Sequence, residues 1–74
     1  MNQHVVLATV VTHTEWQRCS DDVLRAVHAE LREQTRQRGL LIVDPASEDV
    51  EVLPYGTRVR VTVSAEGVPL DQRP

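Results

Sequence analysis

His4-Val5-Val6-Leu7-Ala8-Thr9-Val10-Val11-Thr12 decides how the chain is read. The run is β-branched and apolar on both parities, with Val5, Leu7 and Val11 on one side and Val6, Ala8 and Val10 on the other. A strand of this kind is buried on both faces. One helix covers only one face of a sheet, and a chain of 74 residues has no room for a third layer. The second cover is therefore expected from another copy or another protein.

Downstream, His13 to Ser20 is polar and reads as a connection into one helix over about residues 20–38. Ser20 is a good N-cap, and Asp21 and Asp22 place negative charge on the first turn. Thr14-Glu15-Trp16-Gln17 has capping-box spacing and offers a competing start. Val23, Leu24, Val27 and Leu31 form the apolar stripe. Arg36 and Arg38 followed by Gly39 form a stop signal.

Leu40-Leu41-Ile42-Val43 reads as a second buried strand, ended by Asp44-Pro45. Ala46 to Asp49 is a turn or wide bulge, after which Val50 to Leu53 alternates and continues the same strand. Pro54-Tyr55-Gly56-Thr57 is turn chemistry for a hairpin. Arg58 to Ser64 is the cleanest alternation, with Val59, Val61 and Val63 inward and Arg58, Arg60, Thr62 and Ser64 outward. Gly67 to Pro74 carries two prolines and no periodicity, so it reads as a tail. The fold expected is α+β, a two-layer βαββ sandwich over residues 1–66. One helix lies on a three-stranded sheet, of four segments if the bulge splits the second strand. A right-handed crossover with the last strand in the gap gives half of a ferredoxin-like unit.

Composition narrows the function classes. All eight basic residues are arginine, phenylalanine is absent, and valine occurs thirteen times. That usage suggests a GC-rich coding sequence, from a bacterium or one of its phages. The net charge of −3 argues against a surface that attracts nucleic acid or anionic lipid as a whole. No apolar run reaches the roughly 20 residues of a membrane span, and Val5–Val11 lacks the flanks of a signal peptide. A cytoplasmic or virion-associated location is expected. Cys19 is the only cysteine, so no disulfide can form within the chain.

Arg25, His28, Arg32 and Arg36 fall within about 80° of one another opposite the apolar stripe. This basic ridge is a candidate contact for phosphates or an acidic partner, and equally an ordinary solvated helix face. His13 and Cys19 are the residue types of a Cys–His nucleophile pair, but nothing in the spacing fixes their geometry, and a packed cysteine is the plainer reading. His4, His13 and His28 lie on different faces and make no metal set. The acidic cluster Asp44, Glu48, Asp49 and Glu51 lacks the alternation and glycine of a calcium loop. Motifs for nucleotide binding, hydrolysis and zinc proteolysis are missing. Trp16 and Tyr55, the only aromatics, lie in connections, and Trp16 serves as a lid on the core or as an interface anchor.

The β-α-β-β order in a chain of this length resembles the dodecins, small flavin-binding shells built from many copies. In that family an aromatic just after the helix stacks on the isoalloxazine ring. The matching stretch here, Gly39-Leu40-Leu41-Ile42, has no aromatic, so flavin binding does not carry over and no cofactor is expected. The resulting expectation is a non-enzymatic interaction or assembly protein that works as a homodimer or higher oligomer, with a host or virion protein as a further partner. Val5, Leu7, Val11 and Trp16 are its candidate interface. The rival is a nucleic-acid-binding or regulatory protein that uses the arginine ridge.

Overall fold

The alternating valines of the last strand place every other element. In the computed structural model, which describes residues 3–43 and 46–70, the elements run β1 (Gln3–Thr12), α1 (His13–Gln37), β2 (Leu40–Ile42), β3 (Ser47–Val52), a 3-10 turn (Pro54–Gly56) and β4 (Arg58–Pro69). β4 is the central strand. It pairs antiparallel with β1 along one side, from Gln3 opposite Gly67 to Thr12 opposite Arg58. Along its other side it pairs with β2 and then β3, which share one edge. β1 and the β2–β3 edge are thus parallel to each other with β4 between them, the gap-filled order expected from the alternation.

α1 lies across one face of this sheet. Val23, Val27 and Leu31 are buried against Val5, Leu40, Val59, Val61, Val63 and Ala65. Val59, Val61 and Val63 are fully inaccessible, because on the central strand they have neighbours on both flanks and a helix above. Leu24 is only half-buried, at the margin of the stripe. Thr35 continues the stripe although it is polar, since its hydroxyl donates to the Leu31 carbonyl at 2.6 Å and so needs no water.

The helix starts earlier than Ser20. Thr12 is the N-cap, extended at φ −70° and ψ 152°, and its Oγ1 accepts the Glu15 N–H at 3.0 Å. The chain turns from strand to helix with no connection, and the His13 N–H donates to the Thr57 carbonyl at 2.9 Å. Residues 13–18 hide from a periodicity reading because few of them are apolar. Neither sequence candidate is the cap: Thr14 lies inside the first turn, and Ser20 follows a kink at Cys19 (φ −145°, ψ 46°), whose thiol donates to the Glu15 carbonyl at 3.1 Å. Ser20 opens the longer segment without being the cap of the whole helix. At the other end Gly39 (φ +75°) donates to the Arg36 carbonyl at 2.9 Å, the left-handed stop its position predicts.

Two boundaries differ from the sequence reading. β4 runs to Pro69, so residues 67–69 belong to the sheet and not to a tail. Gly67, Val68 and Pro69 pair with Ile42, Leu41 and Leu40, and the Leu70 N–H donates to the Gly39 carbonyl at 2.8 Å. Gly67 has no side chain because Leu40 and Thr35 lie where one would go: a Cβ there would sit 3.3 Å from the Leu40 Cβ. The interruption expected at Ala46–Asp49 falls earlier, since Ser47, Glu48 and Asp49 already belong to β3. Val43 pairs at the level of Glu66 and Ser47 at the level of Ser64, so the outer chain spends four residues where β4 spends two. Asp44 and Pro45, and the tail from residue 71, lie outside the described residues.

Candidate functional site

The face of the sheet away from α1 is not one apolar surface. Cross-strand partners share a face, so the registers place Val6, Ala8 and Val10 beside Ser64, Thr62 and Arg60, with Ser47, Asp49 and Glu51 beyond them. Val6 is 53% exposed and Val10 47%. Leu41 and Val43 are as exposed at the far end of the same face, across Val68 and Glu66. The central column of this face is polar, and Arg60 forms an ion pair with Glu51 at 2.9 Å. The apolar surface is therefore a column on β1 and a second group on β2, divided by the outward residues of β4.

This changes which residues an interface has available. Val5 lies under the helix and is 3% exposed, so the chain's own core uses it. Leu7 and Val11 share that helix-facing side but are half-buried, because β1 is an edge strand and α1 does not reach over it fully. Trp16 is half-buried and packs on the same core from the first segment of α1. Val6, Ala8 and Val10 hold the outward positions.

An open groove of about 500 Å³ follows the line where α1 stops short of the β1 edge. Leu7, Ala8, Thr9 and Val11 form its strand side. Cys19, Val23, Ala26 and Val27 form its helix side, below a rim of Glu15, Asp22 and Glu30. The helix residues recur every three or four positions between Glu15 and Glu30, so small and acidic side chains border the edge of the apolar stripe there. The valines of that side were legible in the sequence as part of the stripe, but Glu15, Cys19, Asp22, Ala26 and Glu30 beside them give a periodicity argument nothing to register.

The basic ridge is largely occupied by acids of the same chain. Arg25 pairs with Asp22 at 3.3 Å, Arg36 with Glu33 at 2.7 Å, and the His28 ring bonds the Glu48 carboxylate across to β3. Hydrogen bonds from Arg36, and then from Gln37, hold the Glu33 carboxyl below its ordinary value, and the same contact raises the Arg36 guanidinium. Arg32 alone of the four forms no ion pair among the described residues.

Cys19 spends its thiol on the Glu15 backbone carbonyl, and no hydrogen bond joins it to His13 among the described residues. His4 meets Glu66 at 3.3 Å on the outer face, far in register from His28 on the helix. Among the described residues no three His, Cys, Asp or Glu side chains are grouped to hold a metal ion, and no helix is long and apolar enough to cross a membrane. Tyr55 is the unexpected feature. It is 98% exposed at the tip of the β3–β4 hairpin with φ +75°, in a turn closed by the Gly56 N–H on the Leu53 carbonyl at 3.0 Å.

These features define an α+β protein in which one helix packs on a four-stranded antiparallel sheet with a free edge at β1. Compared with protein-family models, curated proteins and solved structures, the chain matches none. The likeness to dodecins rests on the order of elements alone.

Proposed function

We propose that this chain is a non-enzymatic interaction or assembly subunit that works as a homo-oligomer, most simply a two-fold dimer. The observation that carries the reading is the apolar exposure of the outer sheet face, where Val6 is 53% exposed, Val10 47%, Leu41 51% and Val43 50%.

The outer sheet face is the surface proposed for self-contact. Val6, Ala8 and Val10 supply its apolar part, and the face carries charge of both signs, with Arg60 already paired to Glu51 in the same chain and Arg58 and Asp49 beside them. The Val- and Arg-rich, Lys- and Phe-free composition supports a bacterial or phage gene and, with it, a place in the cytoplasm or in a particle assembled there. The internal pairing of Arg25, His28 and Arg36 supports this reading over phosphate contact.

The test is a double substitution. Val6→Ser with Val10→Ser should lower the mass measured by light scattering to that of one chain while the far-UV spectrum is kept. An unchanged mass would remove the outer face from the interface. A mobility shift of duplex or single-stranded DNA at low salt would favour the ridge instead.

A further inference from the structure

We propose that the groove between α1 and the free edge of β1 takes an extended cationic peptide segment, which adds to the sheet as a new strand. The inference rests on the interaction-module reading above, but not on the dimer or on the outer face.

The first ground is the edge itself. β1 pairs with β4 alone, and its ten residues contain no Asp, Glu, Lys, Arg, Pro or Gly. Proteins usually blunt an exposed edge with such residues, as the acidic β3 does on the opposite side. The phase of its hydrogen bonds follows from one contact. His13 bonds to Thr57, so the odd residues of β1 face β4, and His4, Val6, Ala8 and Val10 turn their N–H and C=O groups to the open side. Ala8 is among the residues that line the groove. Main-chain groups along an apolar floor are what strand addition requires.

The second ground is charge. A strand laid beside β1 would point alternate side chains up the flank of α1. There Cys19 and Ala26 leave room for long aliphatic stems, and the rim above them is Glu15, Asp22 and Glu30. Asp22 is held by Arg25. Among the described residues Glu30 is bonded only to the neutral Gln34 amide, at 3.2 Å, and no cation pairs with Glu15. Arginine or lysine on the helix-side parity would cover the small residues with its stem and reach these carboxylates with its head. The other parity would be apolar, continuing the column of Val6, Ala8 and Val10.

The same charges argue against a second copy at this edge. A two-fold pairing of β1 with β1 would bring the α1 flanks together, acidic rim against acidic rim, with no arginine or lysine on either strand to offset them.

The experiment titrates the full chain into a fluorescein-labelled peptide of alternating arginine and valine, seven residues long, and follows anisotropy. Saturable, salt-sensitive binding is expected, with none for the glutamate–valine peptide and much weaker binding for an all-arginine peptide of the same length. Glu15→Gln with Glu30→Gln should weaken binding about tenfold, the sum of two partly exposed ion pairs. Ala8→Pro removes an outward N–H without touching a β4 bond and should abolish binding with the far-UV spectrum unchanged. If that variant misfolds, a peptide N-methylated at alternate residues supplies the same test on the wild-type chain. No saturable binding, equal binding by the all-arginine peptide, or binding indifferent to the backbone block would each overturn the proposal. Sedimentation of the unliganded chain reports the dimer separately, so either reading can fail alone.

Discussion

Truncating Val61 to alanine tests the core at its centre. Val61 is inaccessible to solvent, flanked by Thr9 on β1 and Val50 on β3, and covered by α1. The change removes two carbons' worth of buried apolar group at ~0.8 kcal/mol each, and the cavity adds ~1 kcal/mol, giving a loss of about 2.5 kcal/mol. A domain of this size has a total stability of only about 4–11 kcal/mol. With an unfolding entropy of about 2.1 cal/mol/K per residue, the melting temperature should fall by about 15 °C. Val10→Ala is the control: the same chemistry on the outer face of β1, 47% exposed, should change the folding of a single chain by well under 1 kcal/mol. The assay is thermal melting by circular dichroism at one fixed low concentration. If Val61→Ala melts within a few degrees of the parent, or the control loses as much, the helix-facing side of β4 is wrongly assigned. Val61→Asp, which buries an unpartnered charge, should leave no folded population.

Thr12→Ala removes the hydroxyl that caps α1 and should cost about 1 kcal/mol in chemical denaturation; no loss would mean that the Glu15 N–H is satisfied otherwise. Tyr55→Gly relieves a left-handed backbone at a side chain with no packing, so stability should rise by about 0.5–1 kcal/mol, whereas a fall would reveal a contact made by the ring. The Glu33 carboxyl is held low, so its contribution is present above its ordinary value and is lost as pH falls through the depressed one. An NMR titration should show this midpoint moving up, toward the ordinary glutamate value, in Arg36→Gln. Changing Arg25, Arg32 and Arg36 together to Gln should leave the melting curve close to the parent, because all three side chains are exposed; collapse would show that their stems support packing.

The parts of the fold that were legible in the sequence are those where one physical signal stood alone. Val59, Val61 and Val63 alternate without interruption, and the structure buries all three. The Arg36–Gly39 stop was equally clear, since only a residue tolerant of positive φ suits that position. The helix start was obscured because residues 13–18 carry no stripe and Ser20 and Thr14 both look like caps, while Thr12, which is the cap, sits at the end of an apolar strand. The two-sided apolar character of β1 was visible, but which side meets α1 was not, because Val5 and Val6 are the same residue. The polar column of β4 then divides a face that the β1 sequence alone makes look continuous. The acidic flank of α1 was present as Glu15, Asp22 and Glu30, yet it acquires meaning only beside a free strand edge, and that edge is a property of the strand order.

Sedimentation equilibrium of the wild-type chain across the micromolar range tests the central claim most directly. The account predicts a concentration-dependent mass approaching twice 8.3 kDa, with a melting temperature that rises with protein concentration. A single species of 8.3 kDa throughout, with a melting temperature independent of concentration, would contradict it.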